Sequence, residues 1–303
     1  MLFVKVDCLL YFYGNTPTMR YIWIVFLLII TACGKDPIII NGNTPPPDST
    51  IETAIVDNYI NKLYISMLGR EPSNSEFSNA KNILSEAVNM ESREQLIDIV
   101  HSNEDYYDNS FDNFRSDYLN GVDTVEIREQ YIEVYADLIE YETNPFFLEV
   151  YQIKHQKLIE LYNLGVDLKY KKINIVEAHK RCVDNQIYDD INMGTENYVV
   201  SMFQNFLYRY PTLAELNNAT IMVDGEQANC FGVNGDSKSN FNDIFFNHYG
   251  YFEGVIIDTY IKLLLRHPNS EEVSFHTINF MSDLSYKNLQ KSILASDEFL
   301  GLK

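Results

Sequence analysis

Apolar residues recur at intervals of three and four through most of this chain, the spacing that lines one face of an α-helix. Between Glu126 and Met193 one stripe is made by Ile127, Tyr131, Val134, Tyr135, Leu138 and Ile139, and a second by Phe147, Val150, Tyr151, His155, Leu158 and Leu161. Asn144-Pro145 separates them, because the residue before a proline leaves the helical region and proline is at home in the first turn of the next helix. The two stripes therefore predict a helical hairpin, with a third helix from Lys172 to Asp189. No segment keeps a period of two, so the body is expected to be all-α.

Outside this region the pattern repeats. Tyr64, Leu68, Arg70, Pro72, Ser73 and Glu76 share their spacing with Phe203, Leu207, Arg209, Pro211, Thr212 and Glu215, and again with Tyr260, Leu264, Arg266, Pro268, Asn269 and Glu272. The aromatic and the Leu four residues later share a helix face. Pro stops that helix, and Ser, Thr or Asn followed three residues on by Glu is the capping-box signature of a new one. Arg70, Arg209 and Arg266 are expected in the last turn of the first helix, where the carbonyl end of the helix dipole favours a cation. Each copy ends alike, with Ile99-Val100, Ile244-Phe245 and Ile293-Leu294 preceding Tyr106, Tyr251 and Phe299, so a third helix closes each unit. The predicted architecture is a helical repeat or bundle of three helix-corner-helix units, at 51–125, 196–252 and 253–303, with a helical insertion at 126–195. Stacked units of this kind offer extended outer faces to partners. Val223 to Asp236, rich in Gly and Asn, is longer than the equivalent turns and is expected to be a surface loop.

The unit resembles helical domains of unknown function that carry a Leu-x-Arg-x-Pro corner and a terminal Ser-x-Glu-aromatic, including those beside planctomycete-type cytochrome proteins. The resemblance implies a fold and no activity. A haem of the attached kind would need Cys-x-x-Cys-His, which the chain lacks.

Met19 to Asp36 changes the picture. Arg20 precedes an unbroken apolar run from Ile22 to Ile30, too short for the roughly 20 residues of a membrane span, and Thr31-Ala32-Cys33 places small residues at a cleavage point. Ile30-Thr31-Ala32-Cys33 resembles the lipobox of bacterial lipoproteins, which implies that Cys33 is acylated and residues 1–32 removed, with Met19 as the true start. Gly34 to Ser49, containing Pro45-Pro46-Pro47, reads as an extended tether, so that residues 33–50 link lipid to body. Lys35-Asp36 weakly resembles the export signal of Bacteroidota surface lipoproteins. The expected location is the bacterial envelope, anchored at the outer membrane on either its periplasmic or its surface face.

The whole chain has 303 residues and a net charge of -20, and loss of residues 1–32 with Lys5, Asp7 and Arg20 makes it one unit more acidic. Such a charge opposes binding to phosphate backbones, so no nucleic-acid partner is expected and other envelope proteins are the expected ones. Its 14% aromatic content includes one Trp, Trp23 in the signal, and an aromatic surface without Trp suits protein contact better than glycan. With Cys8 cleaved and Cys33 acylated, Cys182 and Cys230 are the two remaining thiols and are expected to form a disulfide in an oxidising compartment.

The sequence carries few motifs of known chemistry. There is no His-Glu-x-x-His, Gly-x-Ser-x-Gly or phosphate-cradling Gly-rich loop. His179 and Cys182 stand one helical turn apart, two ligands short of a zinc site. Glu104, Asp105, Asp108 and Asp112 do not have the EF-hand spacing. No metal, cofactor or catalytic residue is assigned. The expected function is a membrane-anchored, protein-binding scaffold or accessory subunit. The rivals are a hydrolase of cell-surface polymer using carboxylates such as Glu215 and Asp224, and a glycan- or solute-binding lipoprotein. A broad exposed aromatic patch favours the scaffold, and a concave pocket with shifted carboxylates favours the enzyme.

Overall fold

The computed structural model describes residues 48–85 and 88–302, with side chains from Thr53 onward. The expected signal segment, Cys33 and Pro45-Pro46-Pro47 lie outside these residues, while 48–50, expected as the extended end of the tether, begin the first helix instead. The body is all-α apart from one two-stranded hairpin. Unit 1 holds α1 (Asp48–Leu68), α2 (Asn74–Leu84), α3 (Met90–His101) and α4 (Asp105–Tyr118). The insertion holds α5 (Thr124–Glu140), α6 (Pro145–Tyr162), α7 (Leu164–Lys169), α8 (Ile175–Val183) and α9 (Gln186–Ile191). Unit 2 holds α10 (Thr195–Leu207), α11 (Leu213–Val223), strands β1 (Ala228–Cys230) and β2 (Val233–Gly235), and α12 (Lys238–Asn247). After it come α13 (Tyr249–Leu264), α14 (Ser270–Asp283), α15 (Tyr286–Leu294) and α16 (Asp297–Leu300).

The first helix of each unit stops at a left-handed residue: Gly69 (φ 69°), Tyr208 (φ 54°) and Leu265 (φ 56°). That residue turns the chain, so Arg70, Arg209 and Arg266 come just past the helix end, not in its last turn as the spacing suggested. Ser73, Thr212 and Asn269 then cap the second helix, and each forms the full reciprocal capping box with Glu76, Glu215 or Glu272. Each unit also has a fourth helix, begun at the Ser-x-Glu-aromatic segment or its equivalent, whose Tyr106, Tyr251 or Phe299 is buried. In unit 2 that fourth helix is α13, which also serves as the first helix of unit 3. The sequence boundary between 252 and 253 thus falls inside one continuous helix.

The core is largely aromatic, with Tyr59, Phe203, Phe241, Phe245 and Tyr251 at most 1% exposed. Units 1 and 3 pack directly on one another. The Tyr59 ring meets Phe299 edge-on at 5.7 Å and its hydroxyl donates to the Leu294 carbonyl at 3.3 Å. Arg93, buried on α3, reaches Asp297 at 2.9 Å. The units therefore close on one another instead of running on as an open stack. Helices α10 and α13 approach at backbone distance: a Cβ on Gly254 would lie 1.7 Å from the Phe206 carbonyl oxygen.

The Val223–Asp236 segment is not a loose loop. Beyond the end of α11 it forms the antiparallel β1–β2 hairpin, turned at Phe231-Gly232 with both residues at positive φ, the geometry of a tight two-residue hairpin turn. Phe231 stacks on His248 with centroids 3.9 Å apart and packs on Phe203, which fixes the hairpin to unit 2. A three-residue strand is too short to register as an alternating pattern. Among the described residues no helix is long and apolar enough to cross a membrane.

Candidate interaction surface and the predicted site residues

The three Arg-Pro corners share one Arg–Glu frame. Arg70, Arg209 and Arg266 each grip both oxygens of the capping Glu and also donate to the next residue's carbonyl, at 3.1, 3.1 and 3.0 Å. The forks to Glu measure 2.9 and 3.0 Å in unit 1, 2.8 and 2.6 Å in unit 2, and 2.9 and 2.7 Å in unit 3. The Arg hydrogen bond is the main reason that Glu76 and Glu215 are held down to about 2 and Glu272 below its usual range. A second acid joins in two of the units: Asp105 at 2.7 Å from Arg70, and Glu298 at 2.6 Å from Arg266. The matching position in unit 2 is Gly250, so Arg209 holds Glu215 alone. Sequence reading placed the arginines by the helix dipole and missed this pairing, although Arg and Glu stand six residues apart in all three copies.

Cys182 and Cys230 are free, buried thiols, so the expected disulfide is not formed. Cys182 faces the aromatic core, where burial pushes its thiol well above the usual range. Cys230 sits on β1 against α11, its thiol pushed up to about 11 by burial and then by Glu215. Two leftover cysteines in a sequence carry no information about direction, and these two serve separate parts of the core. His179 is also a core residue: its Nδ1 is 2.9 Å from the Tyr251 hydroxyl, and Phe114, Tyr118 and Phe206 surround the ring. Burial lowers its pKa to about 3, so the imidazole is neutral. Among the described residues no three His, Cys, Asp or Glu side chains gather as a metal site.

The carboxylate pair Glu215 and Asp224 is not brought together. Glu215 stands in the first turn of α11 and Asp224 at its C-cap, roughly 14 Å apart at 1.5 Å per residue. Glu215 is tied to Arg209, and Asp224 accepts from the Thr195 hydroxyl at 2.5 Å. Acid-base work by this pair has no geometric basis.

The hairpin of α5 and α6 presents a different kind of surface. Its base is anchored by Ile127, Leu158 and Leu161, all fully buried, with α6 packing on α7 and α8. Toward the tip the apolar residues turn outward: Ile132, Tyr135 and Ile139 on α5, and Phe146, Phe147, Val150 and Ile153 on α6 are exposed, Phe146 to 72%. The tip is braced from within by Tyr141, stacked on Tyr151 at 5.3 Å and packed on Phe147 at 5.2 Å. Five acids (Glu126, Glu129, Glu133, Asp137, Glu140) and a single base, Arg128, share α5 with these apolar residues. The chain matches no family model, no curated protein and no solved structure. The periodic stripes identified the hairpin. Tyr135, Ile139, Phe147 and Val150 from those stripes are nevertheless exposed, together with Ile132, Phe146 and Ile153 outside them, because the two helices carry more apolar surface than their mutual contact buries.

Proposed function

We propose that the protein is a lipid-anchored bacterial envelope protein that works by binding another envelope protein through the tip of the α5–α6 hairpin. One observation carries the reading: a helical hairpin, braced within by Tyr141 against Tyr151 and Phe147, exposes seven large apolar side chains along its two helices. Contiguous exposed apolar surface with a polar rim marks protein contact sites on soluble bodies. The acidic α5 favours a partner whose apolar patch is rimmed by Lys or Arg, and such a rim speeds association and makes it salt-dependent. The lipobox at Cys33 supports the anchor, with the tether giving the body reach from the membrane.

The test is affinity capture from detergent-solubilised envelopes with three versions of the protein: wild type, Ile139→Asp/Phe146→Asp, and Phe275→Asp. Phe275 is also exposed, at 62%, but lies on α14 away from the hairpin sequence. The reading expects a captured protein that is lost with the hairpin variant, retained with Phe275→Asp, and weakened by raised salt. Loss with Phe275→Asp alone would move the contact to unit 3. Cys33→Ser should release the protein from the membrane or leave the precursor uncut.

A further inference from the structure

A cleft of about 780 Å³ lies between α4, the α3 C-terminus, the α7–α8 connection and the start of α15. Its lining reverses the charge balance of the chain. The protein has 43 acids against 23 Lys and Arg, yet four lysines (Lys169, Lys171, Lys287, Lys291) and only two acids (Asp98, Glu104) face this space. Lys291 is paired with Asp98 at 2.5 Å and Lys169 with Glu104 at 2.7 Å. Lys171 is exposed and has no ion-pair partner among the described residues.

Lys287 is the cation at the floor. Its ammonium donates to the His101 carbonyl at 2.5 Å and to the Tyr107 hydroxyl at 2.8 Å, and it lies 4.4 Å from the ring centroids of both Tyr106 and Tyr107. All these partners are neutral. A lysine ammonium has three donors, so one remains for a ligand, and the charge itself is uncompensated. Beneath it, His101 lines the cleft and is only 3% exposed, with neither ring nitrogen hydrogen-bonded. The Gln290 side chain lies beside that ring, within hydrogen-bonding reach of it. Burial, then the charge of Lys287, lowers the His101 pKa to about 3 and keeps the imidazole neutral. Buried polar atoms without partners are uncommon in folded proteins and call for an explanation.

We propose that this cleft is a binding site for a small organic anion carrying a carboxylate, phosphate or sulfate group, held by Lys287 and Lys171 over a tyrosine-lined floor. The volume falls in the range of small-molecule sites, and convergent polar groups on an aromatic wall are what such sites use for orientation. The ammonium of a lysine acts as a point charge and serves any of the three anions. Nothing in this site depends on the hairpin contact, so the two readings stand or fall separately.

Calorimetric titration of the full-length protein in neutral detergent tests it, with sulfate, inorganic phosphate and glucuronate as probes and glucose as the uncharged control. Saturable one-to-one binding of at least one anion, with none of glucose, is expected. Glucuronate alone would indicate a carboxylated sugar, and phosphate or sulfate alone an ester of that acid. Lys287→Gln should abolish binding. Lys171→Gln, at an exposed position that supports no packing, should weaken it about tenfold or more while the melting temperature without ligand stays unchanged. Absence of saturable binding for all three anions, or binding that Lys171→Gln and Lys287→Gln both leave intact, would overturn the proposal.

Discussion

Replacing the corner arginines one at a time by Gln should cost stability in a definite order: Arg266 most, Arg70 next, Arg209 least. Arg266 makes four hydrogen bonds to carboxylates, two with Glu272 and two with Glu298. Arg70 makes three, to Glu76 and Asp105, and Arg209 makes two, both to Glu215. The guanidinium side chains are 35%, 39% and 43% exposed in that order, so solvent screening holds each hydrogen bond to about 0.5 kcal/mol, the low end of the net contribution of a hydrogen bond. The expected losses are then about 2, 1.5 and 1 kcal/mol. Urea denaturation of the three variants measures them, with an unchanged slope showing that only the native state was altered. The spread should narrow at high salt. If Arg209→Gln cost as much as Arg266→Gln, the second acid would carry no weight and the paired-fork reasoning would be refuted.

The same corners make acid stability predictable: Glu76 and Glu215 titrate near 2 in the folded protein but near 4.3 unfolded. Their contribution, about 1 to 2 kcal/mol each after screening, is complete above that unfolded value and disappears as pH falls through about 2; a Glu76→Gln/Glu215→Gln variant should show a flatter stability profile in that window. Gly254→Ala should destabilise by about 3 kcal/mol or unfold the body, because its Cβ meets the Phe206 carbonyl, a backbone atom that cannot step aside; thermal melting decides, and an unchanged midpoint would mean that α10 and α13 do not approach as described. Leu265→Gly should raise stability by about 0.5 kcal/mol, since a solvent-facing Leu at φ 56° costs more in the left-handed region than Gly loses in entropy; a fall in the melting midpoint would contradict it. Cys182 and Cys230 should resist thiol reagent in the native protein and react once it is unfolded without reductant, as peptide mapping would show, and unreactive cysteines after unfolding would restore the disulfide.

The helices and corners were legible because their causes are local. A capping box is three residues wide, and an aromatic-Leu pair marks a helix face within one turn, so the repeats announced themselves at Glu76, Glu215 and Glu272. The left-handed residue before each Arg was not legible: Tyr208 and Leu265 occupy a conformation that Gly69 alone advertises. The pairing of Arg with Glu bridges the corner and required its geometry. Sites built from distant segments were beyond reach. Lys169, Lys171, Lys287 and Lys291 are unremarkable singly, and only the packing of both α15 and the insertion against unit 1 gathers them. The disulfide inference failed for the same reason in reverse, since it joined two residues by elimination where the fold keeps each thiol free.

The central claim is that the hairpin tip is where a partner docks, and photo-crosslinking in intact cells addresses it most directly. A photoreactive amino acid placed at position 146 should give one discrete covalent adduct with another envelope protein, and the same group at position 275 should give none. No adduct from position 146, alongside a specific one from position 275, would contradict the account.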